Sequence, residues 1–276
     1  MIDIPLGPSP LLPILIYTKL IHPVISDPVF YILAVPAVVA LGLSKGGFAG
    51  MGQIATPMLA LVMPPLEAAA VLLPIMMVQD AVAIWVYRKD WSAWNLRVLL
   101  PGALIGMAVA WLVAAYISDA MVRVAIGVTT IVFVLYSWFG RRIATAPRQP
   151  SAASGVFWGS LSGFTSTLCQ AGGPPFQMHV LPQRLPKMTF VGTTAVYFGI
   201  VNALKVVPFF ALGQFSTAGV ATSVALLPLA IVTNAFGIWL VRRTAQDTFY
   251  KLTLIMMFLI SLELVRAGGL ELLRHH

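Results

Sequence analysis

An all-α polytopic membrane protein, built as two inverted repeats, is the fold class this sequence predicts. Three observations carry that reading. Hydrophobic residues make up 59% of the 276 and charged residues only 9%, against roughly 25% charged in soluble domains, so lipid has to solvate most of the surface. Six apolar segments are long enough to cross a bilayer, which takes about 20 residues. Two further apolar stretches are each interrupted by glycine and proline at corresponding places.

In chain order, residues 1–27 form an N-terminal segment. Its residues 11–25 carry Pro13, Lys19, His22 and Pro23, which suits an interfacial helix better than a span. No basic stretch with a small-residue cleavage site is present, so no signal peptide is read. The first repeat, 28–140, opens with an apolar stretch at 28–63 that is too long for one span. It divides into 28–44, a break at Ser44-Lys45-Gly46-Gly47 through Gly50-Met51-Gly52, and a returning arm at 53–63. Spans at 66–87, 96–117 and 121–139 follow, then a cytoplasmic linker at 141–152. The second repeat, 153–267, has the same order. Residues 153–169 lead to a break at Gln170-Ala171-Gly172-Gly173-Pro174-Pro175 and a returning arm at 176–183. Spans at 188–212, 215–241 and 248–266 complete it, and 268–276 are a C-terminal tail. Each returning arm is too short to cross comfortably, so each hairpin reads as re-entrant or broken.

Side-chain matches support the duplication. Gly42 matches Gly163 at an offset of 121, and Asp80-Ala81 matches Asn202-Ala203 at 122. Leu99-Leu100-Pro101 matches Leu226-Leu227-Pro228 at 127. Trp111, Asp119 and Arg123 match Trp239, Asp247 and Lys251 at 128. Three crossings per repeat, an odd number, make the halves inverted, a recurring construction of secondary transporters. With this topology eleven Lys and Arg side chains, Arg88, Lys89, Arg141 and Arg142 among them, share one face, and four share the other. The richer face is cytoplasmic by the positive-inside rule, with both termini outside.

The same composition excludes other chemistries. Cys169 is the sole cysteine and the histidines are His22, His179, His275 and His276, so thiolate clusters, an intramolecular disulfide and spaced histidine ligands are ruled out. No metal or cofactor is implied, and no catalytic constellation, so the chain does not read as an enzyme. The net charge of +8 sits in ones and twos at the ends of apolar segments, a topology signal with no nucleic-acid surface in it.

The candidate site lies at the two breaks. A helix N-terminus offers unpaired N–H groups and partial positive charge, so two returning arms that start at the midplane would converge on an anion. Pro174 and Pro175 suit a first helical turn. Gly46, Gly47, Gly52, Gly172 and Gly173 would let backbone approach a ligand; the alternative is that they serve only close helix packing. Lys45, at the first tip, points at the anion if the hairpin is re-entrant, or else snorkels to an interface. Lys205 lies inside a span, with seventeen uncharged residues before it and thirty-six after. A charge there faces a cavity or a partner. It shares a helical face with Asn202, and both substrate contact and an internal pair with Asp80 fit. Asp80 would couple a proton or balance charge. Gln53, Ser166 and Gln170 supply neutral polar groups, although Ser and Thr in such helices often bond their own backbone.

The run Gly42-Leu43-Ser44-Lys45-Gly46-Gly47 with Gly50-Met51-Gly52 and Pro57 resembles the first-repeat signature of the TauE/SafE family, the sulfite exporter or four-toluene-sulfonate uptake permeases. Gly163 through Gly172-Gly173-Pro174, then Asn202-Ala203-Leu204-Lys205, resembles its second half, so the similarity covers about 29–266. The resemblance implies transport of sulfite, sulfonates or related small organic anions across the bacterial inner membrane. The expectation is a secondary transporter working by alternating access, whose partners are a small anion and the bilayer; a homodimer is an allowed assembly. The alternatives are a passive anion channel and a membrane assembly factor.

Overall fold

The computed structural model describes residue 25 and residues 27–45, 51–114, 116–139, 151–241 and 247–274. The interfacial helix expected at 11–25 and the linker at 141–152 fall almost wholly outside these residues, as do Gly46 and Gly47. Among the described residues the chain is helical throughout, with no strands.

The first hairpin is α1 (Pro28–Lys45), a 3₁₀ turn (Met51–Ile54) and the short α2 (Ala55–Leu59). Three long helices follow: α3 (Pro65–Tyr87), α4 (Ala93–Ala114) and α5 (Asp119–Phe139). The second hairpin is α6 (Ala152–Cys169), α7 (Gly173–Val180) and a 3₁₀ turn (Leu181–Gln183). Then come α8 (Lys187–Ala211), α9 (Thr217–Val241) and α10 (Asp247–Arg274). Each hairpin's leading helix has 18 residues, about 27 Å of rise, and each is followed by a much shorter one. Among the described residues six helices are long and apolar enough to cross a membrane: α1, α3, α4, α5, α8 and α9, so the leading arm of the first hairpin is among them and the span expected at 248–266 is not. The protein is therefore a polytopic α-helical membrane protein.

The last helix differs from its sequence reading. It continues past 266 through Gly268 and Gly269 to Arg274. Two contacts hold the added turns. Arg123 on α5 donates to Glu271 at 2.8 Å, and Gly268 lies against the backbone of Ala120 on α5. These partners come from 148 residues away, so no local pattern announces them.

Helix partners are exchanged between the halves. The first hairpin's α1 packs along α9, and the second hairpin's α6 packs along α4. Helix α3 packs against α8, and α5 against α10. Both hairpin contacts use glycine to bring backbones together, as membrane interfaces commonly do. On α4 and α6 a Cβ at Gly102, Gly106, Gly159 or Gly163 would run into backbone carbonyl oxygen of the facing helix. On α1 and α9 Gly42 meets Thr233, and Gly237 lies 2.7 Å, by its absent Cβ, from the Gly42 carbonyl. The outer face is apolar: Leu112 on α4 and Val232 on α9 are 70% and 65% exposed, which suits contact with lipid and not water. Gly106→Ala would collide with Ser160 of α6, so it is expected to destabilise the pair by roughly 1–3 kcal/mol. Thermal unfolding of the purified variant checks this; an unchanged melt would mean the helices have room to spare.

Polar side chains bind the inner helices. Asn234 on α9 donates to the Gln79 carbonyl at 3.1 Å, Gln79 returns a bond to Ala230 at 3.3 Å, and Ser223 donates to Val71 at 2.7 Å. These fix α9 against α3 where the hairpins meet.

Candidate functional site

The two helix breaks face one cavity of about 90 Å³. Lys45, Gly52 and Gln53 reach it from the first hairpin, Gln170, Gly173 and Gln177 from the second. Gln53 lies directly over Gly173, where a Cβ would strike its amide nitrogen. The remaining wall is apolar: Leu41, Met76, Phe176, Phe190, Val191, Ala195 and Phe198, with Ser44 and Thr194 between them. Most of these lie on the first half of α8. Toward its other end, Phe209 packs against Ala69, Ala70 and Leu73 of α3, outside the cavity lining.

Lys45 is the last residue of α1, where a cation is favoured by the helix's partial negative charge. Its ammonium pairs with Asp80 Oδ1. The other carboxylate oxygen accepts from Asn202 Nδ2 at 2.5 Å. Asp80 and Asn202, the matched positions of α3 and α8, thus meet each other, and both are buried. The pairing of Asp80 with Lys205 weighed from the sequence does not form: Lys45 takes that place.

Lys205 is fully buried and does not line the cavity. Its ammonium donates to the Ser166 carbonyl at 3.2 Å, to Ser166 Oγ at 3.1 Å and to Gln170 Oε1. Three acceptors match the three N–H groups of an ammonium. Gln170 is the bridge to the cavity. It caps α6 in the left-handed region at φ 53, a conformation that costs a non-glycine residue about 1–2 kcal/mol. Its Nε2 donates to the Ala69 carbonyl of α3 at 3.3 Å. The side chain therefore joins α3, the second hairpin and Lys205.

The start of α7 is poorer in donors than two facing N-termini suggest. Pro174 and Pro175 occupy its first turn and lack N–H groups, while Phe176 N is spent on the Gly172 carbonyl. Gly172 itself lies behind the cavity, packed 2.8 Å, by its absent Cβ, from Ser166. Side-chain amides, Gln53 and Gln177, face the space in place of backbone donors. Thr165 and Thr167 bond carbonyls of their own helix, Leu161 at 2.8 Å and Gly163 at 2.9 Å.

Sequence reasoning missed Gln177 and the phenylalanines. Gln177 is four residues beyond Gly173, hence on its helical face. Phe190, Thr194 and Phe198 are spaced by four along α8 and form one stripe. In an apolar helix that spacing has no contrast to make it visible.

The architecture defines the class: a polytopic helical membrane protein with a charged cavity at paired helix breaks. The chain belongs to the family described as Sulfite exporter TauE/SafE, whose model matches residues 34–264. No curated protein and no solved structure matches it. Membership implies a membrane transporter of sulfite or organosulfur anions.

Proposed function

We propose that this protein is a secondary transporter of a small anion, held between the two hairpin turns and released by alternating access. The observation that carries the reading is Lys45. Its ammonium lines the cavity at one helix break while a buried carboxylate, Asp80, balances it. One N–H of an ammonium suffices for Asp80, and an oxyanion can engage the others together with Gln53 and Gln177. Asp80 offsets Lys45 in the empty site, where an unpaired charge is expensive in lipid.

The exchange of helix partners supports an inverted duplication, in which one repeat rocks against the other around a fixed site. The basic face, with Arg88 and Lys187 at the ends of α3 and α8, is then the cytoplasmic side of a bacterial inner membrane. The cavity lies toward that side. A channel would need a continuous polar path, whereas α3 and α8 pack through apolar Leu73 and Phe209 beyond the cavity.

Purified protein in proteoliposomes tests the reading. Saturable flux of sulfite or a simple sulfonate is expected, and Asp80→Asn should weaken it by leaving Lys45 without its resting partner. Unitary currents of channel size, or no flux of either anion, would remove the transporter reading.

A further inference from the structure

We infer that the cavity selects a monoanion bearing a short apolar body, such as an alkanesulfonate, over a bare or doubly charged oxyanion. This rests on the functional reading above and concerns the same site. Two independent features point to it, the charge balance and the wall.

Among the described residues, three charged side chains meet at the hairpin turns. Lys45 and Asp80 form a pair, and Lys205 is joined to the cavity through Gln170. With Lys205 protonated, two ammonium groups and one carboxylate leave a single surplus positive charge. Lys205 donates to neutral groups, Ser166 and Gln170. One monoanion completes neutrality. A dianion leaves a surplus negative charge in a low-dielectric surround, where uncompensated charge is strongly disfavoured.

The wall decides the shape. Polar groups gather where the hairpin turns meet, at Lys45, Gln53, Gln170 and Gln177. Phe190 and Phe198 line the same cavity from one stripe of α8. The Phe198 centroid lies 5.8 Å from Lys45 Nζ, so apolar surface begins beside the anionic head. Phe176, in the same wall, packs against both rings, at 5.4 Å and 6.5 Å between centroids. Sulfite exposes oxygen in several directions, and an oxygen turned to these rings would lose its water without gaining a donor. A sulfonate has carbon on that side, and burying it is favourable.

The test is a binding series on the purified full chain with sulfite, methanesulfonate, ethanesulfonate, propanesulfonate and ethane-1,2-disulfonate. Affinity is expected to rise about fourfold for each added methylene from methane- to propanesulfonate. Sulfite should fall below methanesulfonate, and the disulfonate roughly tenfold or more below propanesulfonate. Phe198→Ala should flatten the alkyl series; Phe190→Ala makes the same comparison should the first variant fail to fold. Sulfite or the disulfonate binding as tightly as propanesulfonate would overturn the inference, as would an unflattened series in a folded Phe variant. Binding of none of the five would instead overturn the transporter reading itself.

Discussion

Replacing Lys45 with Met is expected to cut anion affinity by roughly ten- to hundredfold, the worth of a hydrogen bond to a charged group, and to destabilise the fold as well. The variant removes the ammonium that lines the cavity. It also strands Asp80, 1% exposed, with Asn202 as its remaining hydrogen-bond partner. Breaking a buried pair by removing one member costs roughly 3–5 kcal/mol. The Lys45 side chain is 12% exposed, which places the loss toward the lower end. A second change separates the two effects. Lys45→Met with Asp80→Asn removes both charges, so stability should return while binding does not. Titration and thermal unfolding of the three proteins read the split. Recovery of binding in the double variant would show that Lys45 acts only through Asp80.

Lys205→Met should divide the other way. Its ammonium is buried and surrounded by neutral acceptors, so removing it relieves a desolvation cost. Ser166 and Gln170 lose a partner, at about 1–3 kcal/mol for each group left unsatisfied. These terms oppose each other, and the fold should survive. Affinity should still fall roughly tenfold or more, because the surplus positive charge is gone. Lys205→Arg keeps the charge but forces a planar fork into a site shaped for a compact ammonium, so it should fold less well than the Met variant. Gln170→Gly isolates the bridge: glycine accepts φ 53 without strain, yet the links to Ala69 and Lys205 are lost. Melting and titration of these variants decide it. Wild-type affinity in Lys205→Met would remove Lys205 from the electrostatics of the site.

Much of the fold was legible because lipid simplifies the problem. Apolar length marks the long helices, and Gly-Pro breaks mark the hairpins, since backbone cannot change course in lipid without a local reason. Helix ends were less legible, as α10 shows: tertiary contacts with Arg123 and Ala120 hold its turns beyond 266. At the site, the charged residues stood out against an apolar background. Lys45, Asp80, Asn202 and Lys205 were all visible, but their pairing was not. Lys45 and Lys205 compete for one carboxylate, and only tertiary contact assigns Lys45 to Asp80 of α3 and Lys205 of α8 to Gln170 at the end of α6. The aromatic wall was invisible for the opposite reason, since a phenylalanine lining a cavity reads like one facing lipid.

The central claim is that an anion binds where the two hairpin turns meet, against Lys45. Crystals soaked with 2-bromoethanesulfonate, a monoanion carrying a strong anomalous scatterer, test this most directly. The sulfonate is expected within hydrogen-bond distance of Lys45 Nζ, with bromine beside Phe190 and Phe198. Bromine found only at another surface, with this cavity empty at saturating ligand, would contradict it.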